Sequence, residues 1–242
     1  MLDPTTHALI FDMDGVIVDN TAVQARAFQL LFRDLGLTTN ARRLLERLNG
    51  MPAGAIIQSV FRHPIPKKQL QTYTDQRELL YRVLYWQKRR EALGLRAFLQ
   101  AARTAGFRIG LGTGSGNDTI GYIIDYLHLR SSFDVVITKD DVSRGKPHAD
   151  TYSVTANKLG VAPENCVVFE DALIGEQAAY KAGMRCIGLS TTLSAEQFQA
   201  PLKVIKDFTE ITPNDILQLL EENPAIPKPS KKFEAARYTQ QP

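Results

Sequence analysis

From Gly94 onward, short apolar runs of β-forming residues alternate with stretches of helical spacing, and this alternation constrains the fold more than any other feature. Segments 107–111, 133–138, 166–169, 185–189 and 202–205 read as strands. Helical stretches fill the gaps: 95–104, closed by Gly106; 117–127, with Ser115 as its cap; 147–159, with Pro147 near its start; 174–182; and a last helix at 214–220. Strands of this kind joined by helices are buried on both faces of a parallel sheet. Segment 8–11 has the same character and is expected to join them. The expected class is α/β, a doubly wound parallel sheet.

Between the first strand and the second, the pattern changes. Apolar residues at 20–91 recur at helical spacing (Ala27, Leu30, Leu31; Leu44, Leu45, Leu48; Leu79, Leu80, Val83, Leu84), and Pro52, Pro64 and Pro66 break the stretch into pieces, the longest at 69–90. Residues 18–92 hold 13 Lys/Arg against 6 Asp/Glu, whereas the whole chain of 242 residues has a net charge of only +3. A basic helical insert in an otherwise acidic chain suits either a solvated surface or a lid that attracts an anion. The expected division is therefore an α/β core (1–17 with 93–222), an all-helical cap (18–92) and a flexible tail (223–242) rich in Pro, Lys and Gln.

The small net charge argues against a nucleic-acid partner. No apolar run approaches the ~20 residues of a membrane helix. No basic region precedes the first apolar run, so a signal peptide is not expected and the cytoplasm is the expected location. Cys166 and Cys186 sit in apolar segments and read as buried thiols.

Four polar motifs fall at the C-terminal ends of these strands, the edge where parallel α/β sheets bind ligands. Asp12-Met13-Asp14-Gly15 follows the first. Two carboxylates at the end of a buried strand need a cation, hydrogen bonds or solvent. If extended, both point the same way, one placed to attack and the other to handle protons, although caps and turns also use this pattern. Gly112-Thr113-Gly114-Ser115-Gly116-Asn117 offers a hydroxyl and glycines before a helix, which suits an anion; the dinucleotide G-x-G-x-x-G spacing is incomplete. Lys146 precedes Pro147, either as a surface lysine or turned to the sheet edge to neutralise an anion. Glu170-Asp171 supplies hard oxygen ligands for Mg²⁺, or a helix N-cap at Asp171.

In order and spacing the four motifs resemble the haloacid dehalogenase superfamily, and most closely its branch with a small helical cap after the first motif, which includes β-phosphoglucomutase and many sugar-phosphate phosphatases. The resemblance reaches to about Leu220 and implies a Rossmann-like core. It implies that Asp12 is the nucleophile that forms an aspartyl-phosphate and Asp14 the general acid/base. It implies that Thr113, Gly114 and Lys146 bind the phosphoryl group, and that Asp12, the Asp14 backbone carbonyl, Glu170 and Asp171 serve Mg²⁺. An aspartate at position 14 favours phosphate esters over carbon–halogen or phosphonate bonds. The substrate pocket is expected to include Gly50, Met51, Ala53, Arg77, Ser115 and Asn117. Gln24 stands where the mutases carry a histidine, and Ala53 where they carry a cap arginine, for which Arg77 or Arg82 is a candidate substitute. The expected activity is hydrolysis of a small phosphorylated metabolite, a phosphosugar; the alternatives are a phosphosugar mutase and a non-catalytic binding protein on the same scaffold. Oligomeric state is not legible in the sequence.

Overall fold

The computed structural model describes residues 2–228. Six strands, β1 (Ala8–Phe11), β2 (Arg108–Gly112), β3 (Val135–Ile137), β4 (Cys166–Glu170), β5 (Arg185–Leu189) and β6 (Lys203–Ile205), form one parallel sheet. Their order is β3-β2-β1-β4-β5-β6, so the chain switches direction at the central β1, the point where doubly wound sheets open a crevice.

Side chains alternate across the sheet as the strand period requires. Leu9, Phe11, Ile109, Leu111, Val167 and Phe169 enter one apolar cluster, while Ala8, Ile10, Cys166 and Val168 enter the cluster on the opposite face. The first face is covered by α5 (Leu95–Ala105) and α9 (Pro213–Glu222), the second by α7 (Asp150–Leu159) and α8 (Leu173–Lys181). Phe11 stacks on Phe169 at 4.6 Å with the rings 2° from parallel, and Phe98 and Phe208 close around the pair. Each ring removed from water in this way contributes about 1.5–3 kcal/mol. Cys166 and Cys186 are buried free thiols.

Helices α1 (Thr21–Asp34), α2 (Ala41–Leu48), α3 (Ala53–Gln58) and α4 (Lys67–Tyr85) have an apolar cluster of their own, built on Phe28, Leu31, Phe32, Leu45, Leu48, Ile56 and Ile57. The chain enters and leaves this helical cap side by side, where the Ala92 amide donates to the Ile17 carbonyl at 2.8 Å.

Several local expectations change. The long cap helix is Lys67–Tyr85, ending well short of Arg90. The helix expected from Pro147 starts at Asp150, with Ala149 at its N-cap, and Lys146-Pro147 is a cis bond. The stretch after Gly116 is one turn of α-helix, α6 (Asn117–Ile120), continued as a π-helix over Gly121–Asp125. Ser115 does not cap α6: Gly116 occupies the cap, and Asp140 accepts from the Asn117 amide at 3.0 Å. At the start of the expected tail, the Arg185 guanidinium donates to the Asn223 and Pro224 carbonyls; residues 229–242 lie outside the described region.

Candidate active site

The strand β1 stops at Phe11, so Asp12 and Asp14 sit in the turn beyond it rather than alternating along an extended segment. The Asp12 amide donates to the Phe169 carbonyl at 3.0 Å, which keeps this turn in the plane of the sheet. Gly15 makes the return possible. It holds φ +81°, and a Cβ there would lie 2.0 Å from Asp171 Oδ2, so only glycine lets the first turn approach the carboxylate that follows β4.

The two aspartates live in opposite settings. Asp12 is buried, and its Oδ1 accepts from Lys146 Nζ at 2.6 Å. The same ammonium donates to Glu170 Oε1 at 2.6 Å and lies 4.8 Å from the centre of the Tyr152 ring, whose hydroxyl donates to the same Glu170 oxygen. Asp14 is half-buried and held by three neutral donors: Asn20 Nδ2 at 2.5 Å and Gln24 Nε2 at 3.0 Å on Oδ1, and Ser115 Oγ at 2.8 Å on Oδ2. Asn20 also donates to the Tyr81 hydroxyl, which fixes its amide.

Asp12, Glu170 and Asp171 place carboxylate oxygens within 4.8 Å of one another, all buried. Three carboxylates against the single Lys146 ammonium leave a formal charge of −2, which burial makes costly. Burial pushes the Asp12 carboxyl up to about 7; Lys146 opposes the shift, while Glu170 and Asp14 add to it. Asp171 is raised well above the carboxylate range, again chiefly by burial. Lys146 runs the other way: burial disfavours its charge, but Asp12 and Glu170 together hold the ammonium protonated.

A divalent cation fits this donor set. It would cancel the −2, and Asp171 Oδ1 is a buried oxygen with no hydrogen-bond partner. Hard oxygen ligands of this kind suit Mg²⁺. Asp171 Oδ2 is already engaged by Asn49 Nδ2 at 2.9 Å and by the Thr192 hydroxyl. Both oxygens of Glu170 are occupied as well, Oε2 by the amides of Asp171 and Ala172, which favours a supporting role for it. The residue capping α8 is Ala172, so the helix-cap reading of Asp171 does not hold.

Asp12, Asp14 and Thr113 open onto a cavity of about 740 Å³ between core and cap. Gly50, Met51, Ala53, Arg77, Gly114, Ser115 and Asn117 line it, together with Gln24 and Arg82. Lys146, Glu170 and Asp171 are not among the lining residues. Thr113 is buried and accepts from the Ser115 amide at 3.1 Å. Four contributors escaped the sequence reading: Asn20, Asn49, Tyr152 and Thr192. Asn49 directly precedes Gly50 and Met51, both expected in the pocket, and Thr192 follows the end of β5; applying the strand-edge rule to that fifth strand would have found it.

The model of the haloacid dehalogenase-like hydrolase family matches residues 9–189. Among curated relatives, the fructose-1-phosphate phosphatase YqaB of Escherichia coli (strain K12) is 30% identical over 194 residues, covering 74% of this chain and 94% of that protein. The validoxylamine A 7'-phosphate phosphatase of Streptomyces hygroscopicus subsp. limoneus is 31% identical over 208 residues, covering 84% and 94%. Among solved structures, the β-phosphoglucomutase of Clostridium difficile superposes with a TM-score of 0.80, covering 92% of this chain and 98% of that one at 21% identity, a likeness of fold.

Proposed function

The chain belongs to the haloacid dehalogenase-like hydrolases, and from that premise we propose that it hydrolyses a small phosphosugar through a covalent phosphoryl-Asp12 intermediate. An Asp12 carboxylate oxygen attacks phosphorus as the ester P–O bond breaks, and Asp14 gives its proton to the leaving oxygen. Water then attacks the same phosphorus, Asp14 takes the proton back, and the Asp12–P bond breaks to release phosphate. Lys146, held against Asp12, and Thr113 with Gly114 offset charge on the phosphoryl group. Asp12, the Asp14 backbone carbonyl and Asp171 would hold Mg²⁺, with Glu170 in support. When bound, that ion supplies charge neutralisation and alignment for in-line transfer. The cap (18–92) and core (1–17 with 93–222) enclose the ester and limit bulk water, in a cytoplasmic setting.

The observation that carries this reading is the contrast between the two aspartates, which open onto one cavity. Asp12 is clamped by a buried cation beside an acidic cluster, whereas Asp14 is half-buried and oriented by three neutral donors. The mutase alternative draws on the fold alone. Gln24 and Ala53 stand at the histidine and arginine positions of those enzymes, and both line the cavity here. The test is a panel of phosphate esters with Mg²⁺, reading free phosphate. Release that is lost in Asp12→Asn supports hydrolysis. Conversion of a hexose 1-phosphate to the 6-phosphate without release favours the mutase.

A further inference from the structure

A phosphosugar site must decide what it accepts beyond the phosphoryl group, and the cap wall carries the relevant charges. Among the described cavity-lining residues, Lys67 and Lys139 are exposed and Arg82 is half-exposed, so water and salt weaken their pull on a ligand. Arg77, on α4, is the one buried cation of the lining, 5% exposed. Its guanidinium stacks on the Phe28 ring at 4.4 Å and on the Tyr81 ring at 5.2 Å, which fixes its plane. Placed there alone, it would grip a second anionic group of a substrate. It is not alone: Arg77 Nη1 donates to Glu78 Oε1 at 2.6 Å. Adjacent residues on a helix diverge and do not ordinarily face each other, so this contact requires the side chains to fold toward one another. Arg82 in turn lies 3.8 Å from Asp118 across the cavity mouth.

We propose that Glu78 is a specificity-determining residue: by neutralising Arg77 it makes the site take monophosphates with an uncharged, hydroxyl-bearing remainder and reject substrates with a second anionic group. The inference rests on the phosphohydrolase reading of the same cavity. The rest of the wall agrees with it. Gln24, Gln71, Thr74, Ser115 and Asn117 are uncharged polar side chains; the first four already donate within the protein and keep acceptor oxygens suited to hydroxyls. Arg77 Nε is buried and has no hydrogen-bond partner. A second phosphate would instead meet the Glu78 carboxylate beside the one buried cation of the lining, and like charges at such range repel strongly.

The test compares a hexose monophosphate with the matching hexose bisphosphate, in Mg²⁺. The wild-type enzyme is expected to favour the monophosphate in kcat/KM by at least about tenfold, the ratio expected when one partly screened charge contact changes sign. Glu78→Gln shrinks or reverses that ratio, and Glu78→Asp, which keeps the charge, retains most of it. Equal use of both compounds by the wild type, or an unchanged ratio in Glu78→Gln, overturns the proposal. Calorimetric binding of the same two compounds to Asp12→Asn reads the preference without turnover. Absence of phosphate release from every ester therefore sinks the hydrolase reading while the binding ratio still decides the role of Glu78. No binding of either compound overturns both.

Discussion

Asp12 and Asp14 are two residues apart and chemically unlike, and the difference lies in their neighbours. A buried ammonium at 2.6 Å prepares Asp12 to carry charge, and three neutral donors aim Asp14. If Asp14 protonates the leaving oxygen, its importance depends on how much the leaving group needs that proton. Asp14→Asn is therefore expected to lower kcat by about 10²–10⁴ on a sugar phosphate and by far less on p-nitrophenyl phosphate, whose leaving group departs unaided. Equal losses on both esters would contradict the assignment. The sequence made these two acids conspicuous, because charges at the end of an apolar strand demand explanation. It did not reveal Asn20 as the clamp on Asp14, since a lone asparagine before a helix reads as an N-cap; here it makes no cap hydrogen bond and turns to Asp14 instead.

At the scale of elements, the strand positions and the helical cap follow from apolar periodicity, which is local and therefore legible. Contacts between cap and core are not local. The loop between α2 and α3 reaches the core in three places: Asn49 donates to Asp171, a Cβ on Gly50 would lie 3.3 Å from Ile174 Cγ1, and a Cβ on Gly114 would lie 2.9 Å from the Gly50 carbonyl. Asn49 thus joins the cap to a candidate metal ligand, and Thr192, bonded to Thr21 at 2.8 Å, braces the same oxygen. Partners that orient a ligating carboxylate typically change metal affinity about 10–100-fold when removed. Asn49→Ala is expected to weaken Mg²⁺ binding within that range by calorimetry, without loss of secondary structure. Unchanged affinity would show that the cap and the acidic cluster are energetically independent. Ser115 carries the converse lesson: its hydroxyl suited a helix cap in sequence, but Asp14, 101 residues away in the chain, competes for it and wins.

Across the whole molecule, the buried acidic cluster ties stability to pH and to metal. Asp12 is pushed up to about 7 from an ordinary value of 3.8, so between those values the folded protein keeps a proton that the unfolded chain releases. Stability of the metal-free protein therefore falls as pH rises from about 4 to 7 through this group, and levels off above; Asp171 acts in the same direction. Mg²⁺ binds the deprotonated carboxylates and reverses that cost, so it should raise the melting temperature by several degrees at pH 8 and by less than about 2 °C at pH 5. A larger shift at pH 5 than at pH 8 would contradict the charge arithmetic of the cluster. The covalent step at Asp12 is open to direct chemical detection. The enzyme is mixed with a sugar phosphate and Mg²⁺, quenched in acid within milliseconds, and its peptides are read by mass spectrometry. A phosphoryl group is expected on the peptide bearing Asp12, removed by hydroxylamine and absent in Asp12→Asn. Steady phosphate release with no label at Asp12, or release undiminished in Asp12→Asn, would contradict it.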